Sequence, residues 1–266
     1  MTPEQHAQAA RRLDEAARTR QQIRMISLDH PEMTMADAYA VQAAWRDAQL
    51  QRGERIVGHK IGLTSKAMQA AVGIDTPDSG FLTQSMVFSD GGAVPVERFI
   101  GLRVEAELAF VLKAPLFGPA LTVEDVIAAT DYVTPALEIL DTRIFRVDPQ
   151  TKRTRSVLDT ISDNAANAGV VLGRRRFDPR GVDLRWIGAV VSKNGEIEET
   201  GLAAGVLGHP AKGVVWLAAR LAQHNQSLQP REILLAGSFI RPIEVGRGDH
   251  IVADYGMFGD VSIHFV

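Results

Sequence analysis

The chain has 266 residues, of which 45% are hydrophobic and 23% charged, a composition typical of a globular protein with a sizeable core. Its net charge of −3 gives no reason to expect a nucleic acid partner, and the basic run at 174–176 is typical of a solvated turn. Cysteine is absent, which excludes disulfides, zinc–thiolate sites and cysteine nucleophiles. The sequence has no apolar stretch of about 18 residues, so it predicts no membrane-spanning helix. The polar start of the chain lacks the apolar segment of a secretory signal, so we expect a cytoplasmic protein without a membrane partner.

Two capping patterns predict helices in the N-terminal fifth of the chain. Thr2 begins a capping-box pattern with proline at the first helical position. Thr34 begins a second such pattern, and its helix is predicted to end near Gly53. Apolar residues follow both caps at near-helical spacing. We therefore expect residues 1–53 to form a helical segment that packs on the rest of the chain.

Short β-branched and apolar runs dominate the remainder of the sequence. Residues 194–195 and 255–259 predict two hairpins, because glycine-containing turns separate apolar runs there. Short helices are predicted at 122–129 and 210–224. This pattern favours an α+β fold, with a β-rich domain over 54–266 and peripheral helices. The predicted strands are 103–113, 168–172, 184–192, 232–236, 249–255 and 261–265.

The pair Glu105 and Glu107 is the most informative feature for function. On a strand these positions project from the same face, and their like charges repel unless a cation compensates them or both face water. The following residues, 108–112, are apolar, which indicates a strand that enters the core. Glu138 lies in another apolar stretch and offers a third carboxylate for Mg²⁺ or Mn²⁺, which prefer oxygen ligands. From the spacing alone, the solvated face of an edge strand is the favoured interpretation.

Two further polar positions border apolar runs. Lys60 lies between His59 and residues 61–63, where it could neutralise a substrate carboxylate or transfer a proton if burial lowers its pKa. Without other information, a surface lysine is the favoured interpretation. Ser162 precedes a small-residue run and a predicted strand, where loops often present polar groups to a site. Turn chemistry explains this serine equally well.

Four sequence motifs, listed at the end of this paragraph, resemble those of the 2-oxo acid hydratases and 4-oxalocrotonate decarboxylases and occur in the same order. These proteins are a family within the fumarylacetoacetate hydrolase fold. The segments 26–42, 237–242 and 252–256 extend the resemblance, which runs from about residue 10 to the end of the sequence. It implies mixed β-sheets rolled into a barrel-like core with helices outside. It also implies homo-oligomers built of pentameric rings, with a decamer as one arrangement. The four motifs are GHKIGLTSKAMQ (58–69), RVEAELAFVL (103–112), ATDYVTPALEILDTR (129–143) and DTISDNAANAGVVLG (159–173).

The resemblance also implies roles for single residues. Glu105, Glu107 and Glu138 would hold Mg²⁺, with Mn²⁺ as an alternative, and Lys60 would be the active-site lysine. Asp78 matches an acidic position of the hydratases, although turn chemistry also favours aspartate there. The implied activity is a metal-dependent addition of water to an unsaturated seven-carbon 2-oxo diacid, in the catabolism of aromatic compounds such as homoprotocatechuate.

The second carboxylate of such a diacid requires a cation. Arg241 is our candidate, because a guanidinium binds a carboxylate in bidentate geometry. Arg143 and His59 are alternatives, and a structural arginine at the surface is an equally good interpretation of Arg241. Ser162 matches a pocket position of the family.

Several related activities remain open at this point. A decarboxylase of the 4-oxalocrotonate type would use the same metal site but release CO₂, and a 2-hydroxypentadienoate hydratase would take a shorter monoacid. Hydrolysis of a carbon–carbon bond would need a positioned base, such as a His–Glu pair, and the sequence offers no clear pair. A non-catalytic partner subunit is disfavoured, because the three glutamates and Lys60 are all retained.

Overall fold

The computed structural model describes residues 1–66, 69–70 and 74–266. Residues 67 and 68, inside the first of the four motifs, therefore lie outside the described residues. Helices and two mixed β-sheets make up the described chain without regular β–α alternation, which confirms the predicted α+β class. No described helix has both the length and the apolarity that crossing a membrane requires.

The N-terminal segment contains three helices, α1 (Pro3–Thr19), α2 (Ile26–Asp29) and α3 (Met35–Gln51). Both long helices begin with the predicted capping boxes, in which the side chains of Thr2 and Thr34 accept backbone hydrogen bonds. Their apolar faces form a buried cluster that also includes Ile144 and Ile161 from the later chain. The domain boundary after residue 53 stays a prediction.

Thirteen strands occur in the described residues. They are β1 (Ile56–Gly62), β2 (Asp78–Thr83), β3 (Val87–Phe88), β4 (Gly92–Val94), β5 (Arg103–Leu112), β6 (Thr130–Leu140), β7 (Asn167–Leu172), β8 (Gly188–Lys193), β9 (Glu196–Leu202), β10 (Ile233–Leu235), β11 (Ile243–Glu244), β12 (His250–Asp254) and β13 (Asp260–Phe265). The larger sheet has the order β2-β1-β10-β5-β6-β7-β3, with β11 paired to β5. The smaller sheet has the order β4-β13-β12-β8-β9.

Two hairpins of the smaller sheet confirm the sequence predictions. Asn194 and Gly195 join β8 to β9 with positive φ angles of 56° and 88°, as a tight two-residue turn requires. The segment after Asp254 joins β12 to β13. The strand predicted at 184–192 is wrong at its start, because Leu184–Trp186 forms a 3₁₀ turn and β8 begins only at Gly188. The Asp183 side chain accepts a hydrogen bond from the Arg185 backbone and caps that turn.

The three remaining described α-helices are α4 (Val123–Ala129), α5 (Val157–Ser162) and α6 (Ala211–Ala222). The main core lies between the two sheets and α6, where Phe110 of β5 packs in one cluster with Ile263 and Leu217. Even-numbered residues of β5 point into this core, from Val104 to Leu112. Alternation along a strand therefore directs the odd-numbered residues of β5 to the opposite face of the larger sheet.

Candidate metal centre and active site

Strand register brings three carboxylates together on that opposite face. Glu105 and Glu107 project from it two residues apart on β5. The antiparallel neighbour β6 pairs Glu138 directly with Glu105. One carboxylate oxygen from each of the three glutamates lies within 4.8 Å of the other two. Glu107 and Glu138 are buried and Glu105 is partly buried, so water screens their mutual repulsion poorly.

The electrostatics of this acidic cluster fit a bound cation. Desolvation, with the negative charge of Glu138, raises the pKa of Glu105 to about 8 and that of Glu107 well above its ordinary value. Glu107 Oε1 and Glu138 Oε2 are buried and have no hydrogen-bond partner among the described residues. Such oxygens are costly to bury unless a cation takes them up. The donor set therefore suits a hard divalent cation such as Mg²⁺.

Three polar groups hold the glutamates in place. Asn167 Nδ2 donates a hydrogen bond of 2.6 Å to Glu138 Oε1, and the backbone N–H of Gly237 donates one of 2.8 Å to Glu107 Oε2. The Tyr255 hydroxyl lies 2.9 and 3.0 Å from backbone carbonyl oxygens of β5 and β6. These contacts fix both the carboxylates and the strands that carry them, which is how outer groups orient metal ligands.

Lys60 lies beside the acidic cluster. Its Nζ is 3.5 Å from Glu138 Oε1, and the residue is only 4% exposed. Desolvation lowers the pKa of Lys60, but the surrounding carboxylates, led by those of Glu138 and Asp78, outweigh it and raise the pKa above its ordinary value. Lys60 is therefore a stable cation in this environment.

Asp78 faces Lys60 from the next strand. As the first residue of β2 it pairs with Gly62 of β1, and its Oδ1 is buried without a hydrogen-bond partner in the described part of the chain. Desolvation raises the pKa of Asp78, and the charge of Lys60 opposes that shift. A Cβ on Gly62 would lie 2.2 Å from Asp78 Oδ1 and 2.9 Å from Lys60 Nζ. Only glycine at position 62 leaves room for both groups.

The other residues suggested by the sequence do not join this cluster. Ser162 is fully buried, and its hydroxyl donates to the Leu158 carbonyl oxygen at 2.9 Å. His59 projects from the opposite face of β1 from Lys60. Desolvation, with nearby arginine charges, lowers the pKa of His59 to about 4, so the ring is neutral at pH 7. The Arg241 side chain is 84% exposed, with its Nη2 2.6 Å from a Glu199 oxygen.

Sequence reasoning assigned no role to Asn167, Gly237 or Tyr255, although each lies inside a segment that resembles the family. Asn167 begins β7, the strand next to β6, and contacts Glu138. Gly237 and Tyr255 contact Glu107 from distant parts of the chain. Gly237 also has a φ of +122°, which favours glycine. In the sequence, only the glycine and the tyrosine themselves could have indicated these roles. Their hydrogen-bond partners depend on how the chain packs.

Comparisons with known proteins agree with this geometry. No protein-family model matches the chain. The chain is 55% identical over 261 residues to 2-oxo-hept-4-ene-1,7-dioate hydratase of Escherichia coli, covering 98% of both proteins. The structure of 4-oxalocrotonate decarboxylase from Pseudomonas putida G7, complexed with magnesium and adipate, superposes with a TM-score of 0.94 at 38% identity, covering 100% of this chain and 99% of that one.

The fold recurs in more distant proteins. Fumarylpyruvate hydrolase from Pseudomonas aeruginosa, in complex with Mn²⁺ and pyruvate, matches with a TM-score of 0.60 at 15% identity, covering 80% of this chain and 89% of that one. The two sheets, the outer helices and the acidic cluster define a protein of the fumarylacetoacetate hydrolase-like fold, as the resemblance implied. Within that class, the chain belongs to the family of 2-oxo acid hydratases and 4-oxalocrotonate decarboxylases.

Proposed function

We propose that this protein is a divalent-metal-dependent hydratase that adds water to 2-oxohept-4-ene-1,7-dioate and forms 4-hydroxy-2-oxoheptanedioate. The observation that carries the proposal is the cluster of three largely buried glutamates, one oxygen of each within 4.8 Å of the others, with Lys60 Nζ 3.5 Å from Glu138. A cation site with a lysine beside it suits a substrate that carries a 2-oxo group next to a carboxylate.

Glu105, Glu107 and Glu138 would hold the cation, because one oxygen of each lies near the others and those of Glu107 and Glu138 include unpaired buried atoms. Mg²⁺ is our first candidate and Mn²⁺ the second. The cation would act as a Lewis acid that stabilises negative charge developing on the 2-oxo oxygen. The magnesium in the related decarboxylase supports this choice.

Lys60 and Asp78 would carry the proton transfers. Once the double bond is conjugated with the 2-oxo group, water can attack C4 because electrons move towards the 2-oxo oxygen. Asp78 would accept a proton from that water, using the oxygen that has no partner in the described chain. Lys60, as a stable cation, would bind the C1 carboxylate or donate the proton that C3 takes up.

Hydration is favoured over decarboxylation by the degree of relatedness. The chain is 55% identical to the E. coli hydratase and 38% identical to the P. putida G7 decarboxylase. Since both reactions need the same cation and the same lysine, the acidic cluster does not distinguish them. The adipate in the decarboxylase structure supports a diacid rather than a monoacid as the substrate class.

The resemblance also supports the setting of the enzyme. We propose a cytoplasmic homo-oligomer built of pentameric rings, with a small-molecule 2-oxo diacid as its substrate in the catabolism of aromatic compounds. Analytical ultracentrifugation would test the assembly, since a monomer or dimer at micromolar concentration contradicts pentameric rings.

The decisive assay uses protein stripped of metal with EDTA and then supplied with Mg²⁺. 2-Hydroxyhepta-2,4-dienedioate and its shorter monoacid analogue 2-hydroxypenta-2,4-dienoate are offered as substrates, and the dienol absorbance and CO₂ release are followed together. We expect metal-dependent loss of absorbance without CO₂, and a faster rate on the diacid. Stoichiometric CO₂ would assign the protein to the decarboxylases, and inactivity on both compounds would contradict the proposal.

A further inference from the structure

The proposed substrate has a second carboxylate, remote from the acidic cluster. We propose that Arg155, supported by Arg103 and Arg146, binds this remote carboxylate and makes the site selective for diacids. The inference rests on the proposed function, because it concerns the far end of the same substrate. It assigns the specificity to arginines that had no role in the sequence analysis.

Arg155 is an enclosed guanidinium with spare hydrogen-bonding capacity. It lies two residues before α5, and its side chain is 14% exposed. Its Nη1 donates to Thr142 Oγ1, the one hydrogen-bond acceptor that this side chain has among the described residues. Its other contact, with Asp163 Oδ2, is long at 3.9 Å. Several N–H groups of Arg155 therefore remain available to an anionic ligand.

Arg155 is also close to the reacting end of the site. Its Nη1 donates to Thr142 Oγ1, and Thr142 follows the end of β6, the strand that carries Glu138. The charge of Arg155 also opposes the rise in the pKa of Asp78, in agreement with this placement. A substrate whose first carboxylate contacts Lys60 would thus have a second cation beyond the acidic cluster.

Arg103 is the first residue of β5, the strand that carries Glu105 and Glu107. It lies on the same face of the sheet as these two glutamates, because alternate residues of a strand project together. Its Nη2 is 2.5 Å from the exposed Glu244 carboxylate. Its Nε is buried without a partner in the part of the chain that the structure describes. Arg103 therefore adds positive charge beside the acidic cluster and retains a donor.

Arg146 completes a group of three arginines. The backbone N–H of Arg155 donates to the Arg146 carbonyl oxygen at 3.0 Å, and Arg146 Nη2 donates to the carbonyl oxygen of Gly101, close to Arg103 in the chain, at 3.1 Å. Desolvation and the positive charges of Arg103 and Arg155 lower the pKa of Arg146 to about 10, in agreement with this grouping.

The carboxylates that face these three arginines are already engaged, since Asp141 accepts two backbone N–H groups at 3.1 and 2.7 Å, Glu244 is paired with Arg103, and Asp163 is paired with Arg143. Gathered cations repel one another, and an anion among them relieves that repulsion. A carboxylate is suited to this position, because guanidinium groups bind it in paired hydrogen bonds.

The other cations near the site are less suitable. Arg143 is more fully engaged: its Nε lies 2.5 Å from Asp163 Oδ1, its Nη2 lies 2.8 Å from the Asp163 carbonyl oxygen, and its Cζ lies 5.1 Å from the centre of the Trp45 ring. Arg241 is exposed and paired with Glu199. An exposed pair gains little from a further anion, because water screens it.

The test compares two ligands that differ only in the remote group. 2-Oxoheptanedioate and 2-oxoheptanoate are saturated analogues that cannot be hydrated, so calorimetric titration of the Mg²⁺-loaded protein measures binding alone. We expect the wild-type protein to bind the diacid roughly 10-fold to 100-fold more tightly, as charge-assisted hydrogen bonds allow. In Arg155→Gln this preference should fall to about threefold or less through weaker diacid binding, while monoacid binding stays the same.

Three further variants sharpen the result. Arg155→Lys keeps the charge but loses the paired geometry, so an intermediate preference is expected. Arg180→Ala, which removes an exposed arginine paired with Asp178, should leave both affinities unchanged. Arg241→Ala should keep the diacid preference. If Arg241→Ala loses this preference and Arg155→Gln retains it, the assignment to Arg155 is overturned. Circular dichroism checks that each variant is folded.

The outcomes separate this inference from the proposed function. An unchanged diacid preference in a folded Arg155→Gln protein, an equal loss of both affinities, or no diacid preference in the wild type would each overturn the inference. The hydration assay on the wild type is independent of these titrations. A wild type that prefers the diacid through Arg155 but does not hydrate it contradicts the proposed function alone.

Discussion

Lys60 Nζ lies 3.5 Å from Glu138 Oε1, and the two residues are 4% and 0% exposed. This buried ion pair links the candidate cation site to the candidate proton donor. A carboxylate that faces a lysine on one side retains a second oxygen for a metal, and Glu138 Oε2 has no partner among the described residues. The lysine is thereby held at the edge of the cation site without occupying it.

Lys60→Ala should reduce turnover by roughly 100-fold or more, because a positioned proton donor is lost. Mg²⁺ affinity should stay equal or rise, since the substitution removes a positive charge that competes with the cation at Glu138. Steady-state kinetics and Mg²⁺ titration measure the two effects separately. Lys113→Ala, at an exposed lysine, is the matched control. Unchanged turnover in Lys60→Ala would eliminate the role given to this lysine.

Glu138→Gln should weaken Mg²⁺ binding at least about tenfold, or about 1.4 kcal/mol, because a neutral amide replaces a central carboxylate of the cluster. Glu198→Gln, at an exposed position of β9, should bind Mg²⁺ like the wild type. Calorimetric titration with MgCl₂ makes the comparison. Equal affinities in the two variants would remove Glu138 from the metal site.

The contribution of Glu105 to the stability of the metal-free protein should decrease as the pH rises from about 4.5 to 8, and it is measured as the difference between the wild type and Glu105→Gln. Desolvation, with the charge of Glu138, raises the folded-state pKa of Glu105 from 4.5 to about 8, so the folded state holds more protons than the unfolded state in this window. The stabilisation that Glu105 contributes is then fully present below pH 4.5 and is lost as the pH rises towards 8. Thermal unfolding at constant ionic strength measures this trend.

Mg²⁺ should reverse that trend, because it binds the ionised carboxylates. Its affinity should rise up to about pH 8, where Glu105 is half ionised in the metal-free protein, and binding below that pH should release protons. Titrations in buffers of different ionisation enthalpy count the protons. Glu105→Gln should flatten the pH dependence, whereas a pH-independent affinity in the wild type would contradict the coupling.

Gly62→Ala should displace Asp78 or Lys60, since the added Cβ would lie 2.2 Å and 2.9 Å from their polar atoms. We expect a loss of about 1–3 kcal/mol of unfolding free energy from overpacking, together with lower turnover. Gly246→Ala is the control, because no atom lies within 4 Å of the added methyl group there. A Gly62→Ala enzyme with wild-type turnover would show that neither neighbour needs its present position.

Tyr255→Phe should destabilise the fold by roughly 1–3 kcal/mol, because its hydroxyl contacts the carbonyl oxygens of Glu107 and Ala136 across β5 and β6. Urea unfolding measures the loss. Tyr132→Phe should change the unfolding free energy by less than about 0.5 kcal/mol, since that tyrosine is only partly buried. If the two variants lose equal stability, the bridge between the strands contributes nothing.

Local sequence patterns determined much of this protein. The residues after Thr2, Thr34 and Thr122 form helices because short-range capping bonds depend only on nearby residues. Alternation along β5 likewise placed Glu105 and Glu107 on one face, since strand geometry has a period of two residues. Where local chemistry offered two solutions, as at 184–186, the capped turn formed instead of the predicted strand.

The tertiary structure determined what those local patterns could not. Glu138 meets Glu105 only because β6 pairs with β5 in one particular register, and a shift of one residue would turn its carboxylate to the other face of the sheet. The surroundings of the arginines follow from packing in the same way, so Arg241 is exposed while Arg155 is enclosed. Spacing within a strand is local geometry, whereas contacts between distant segments depend on how the whole core packs.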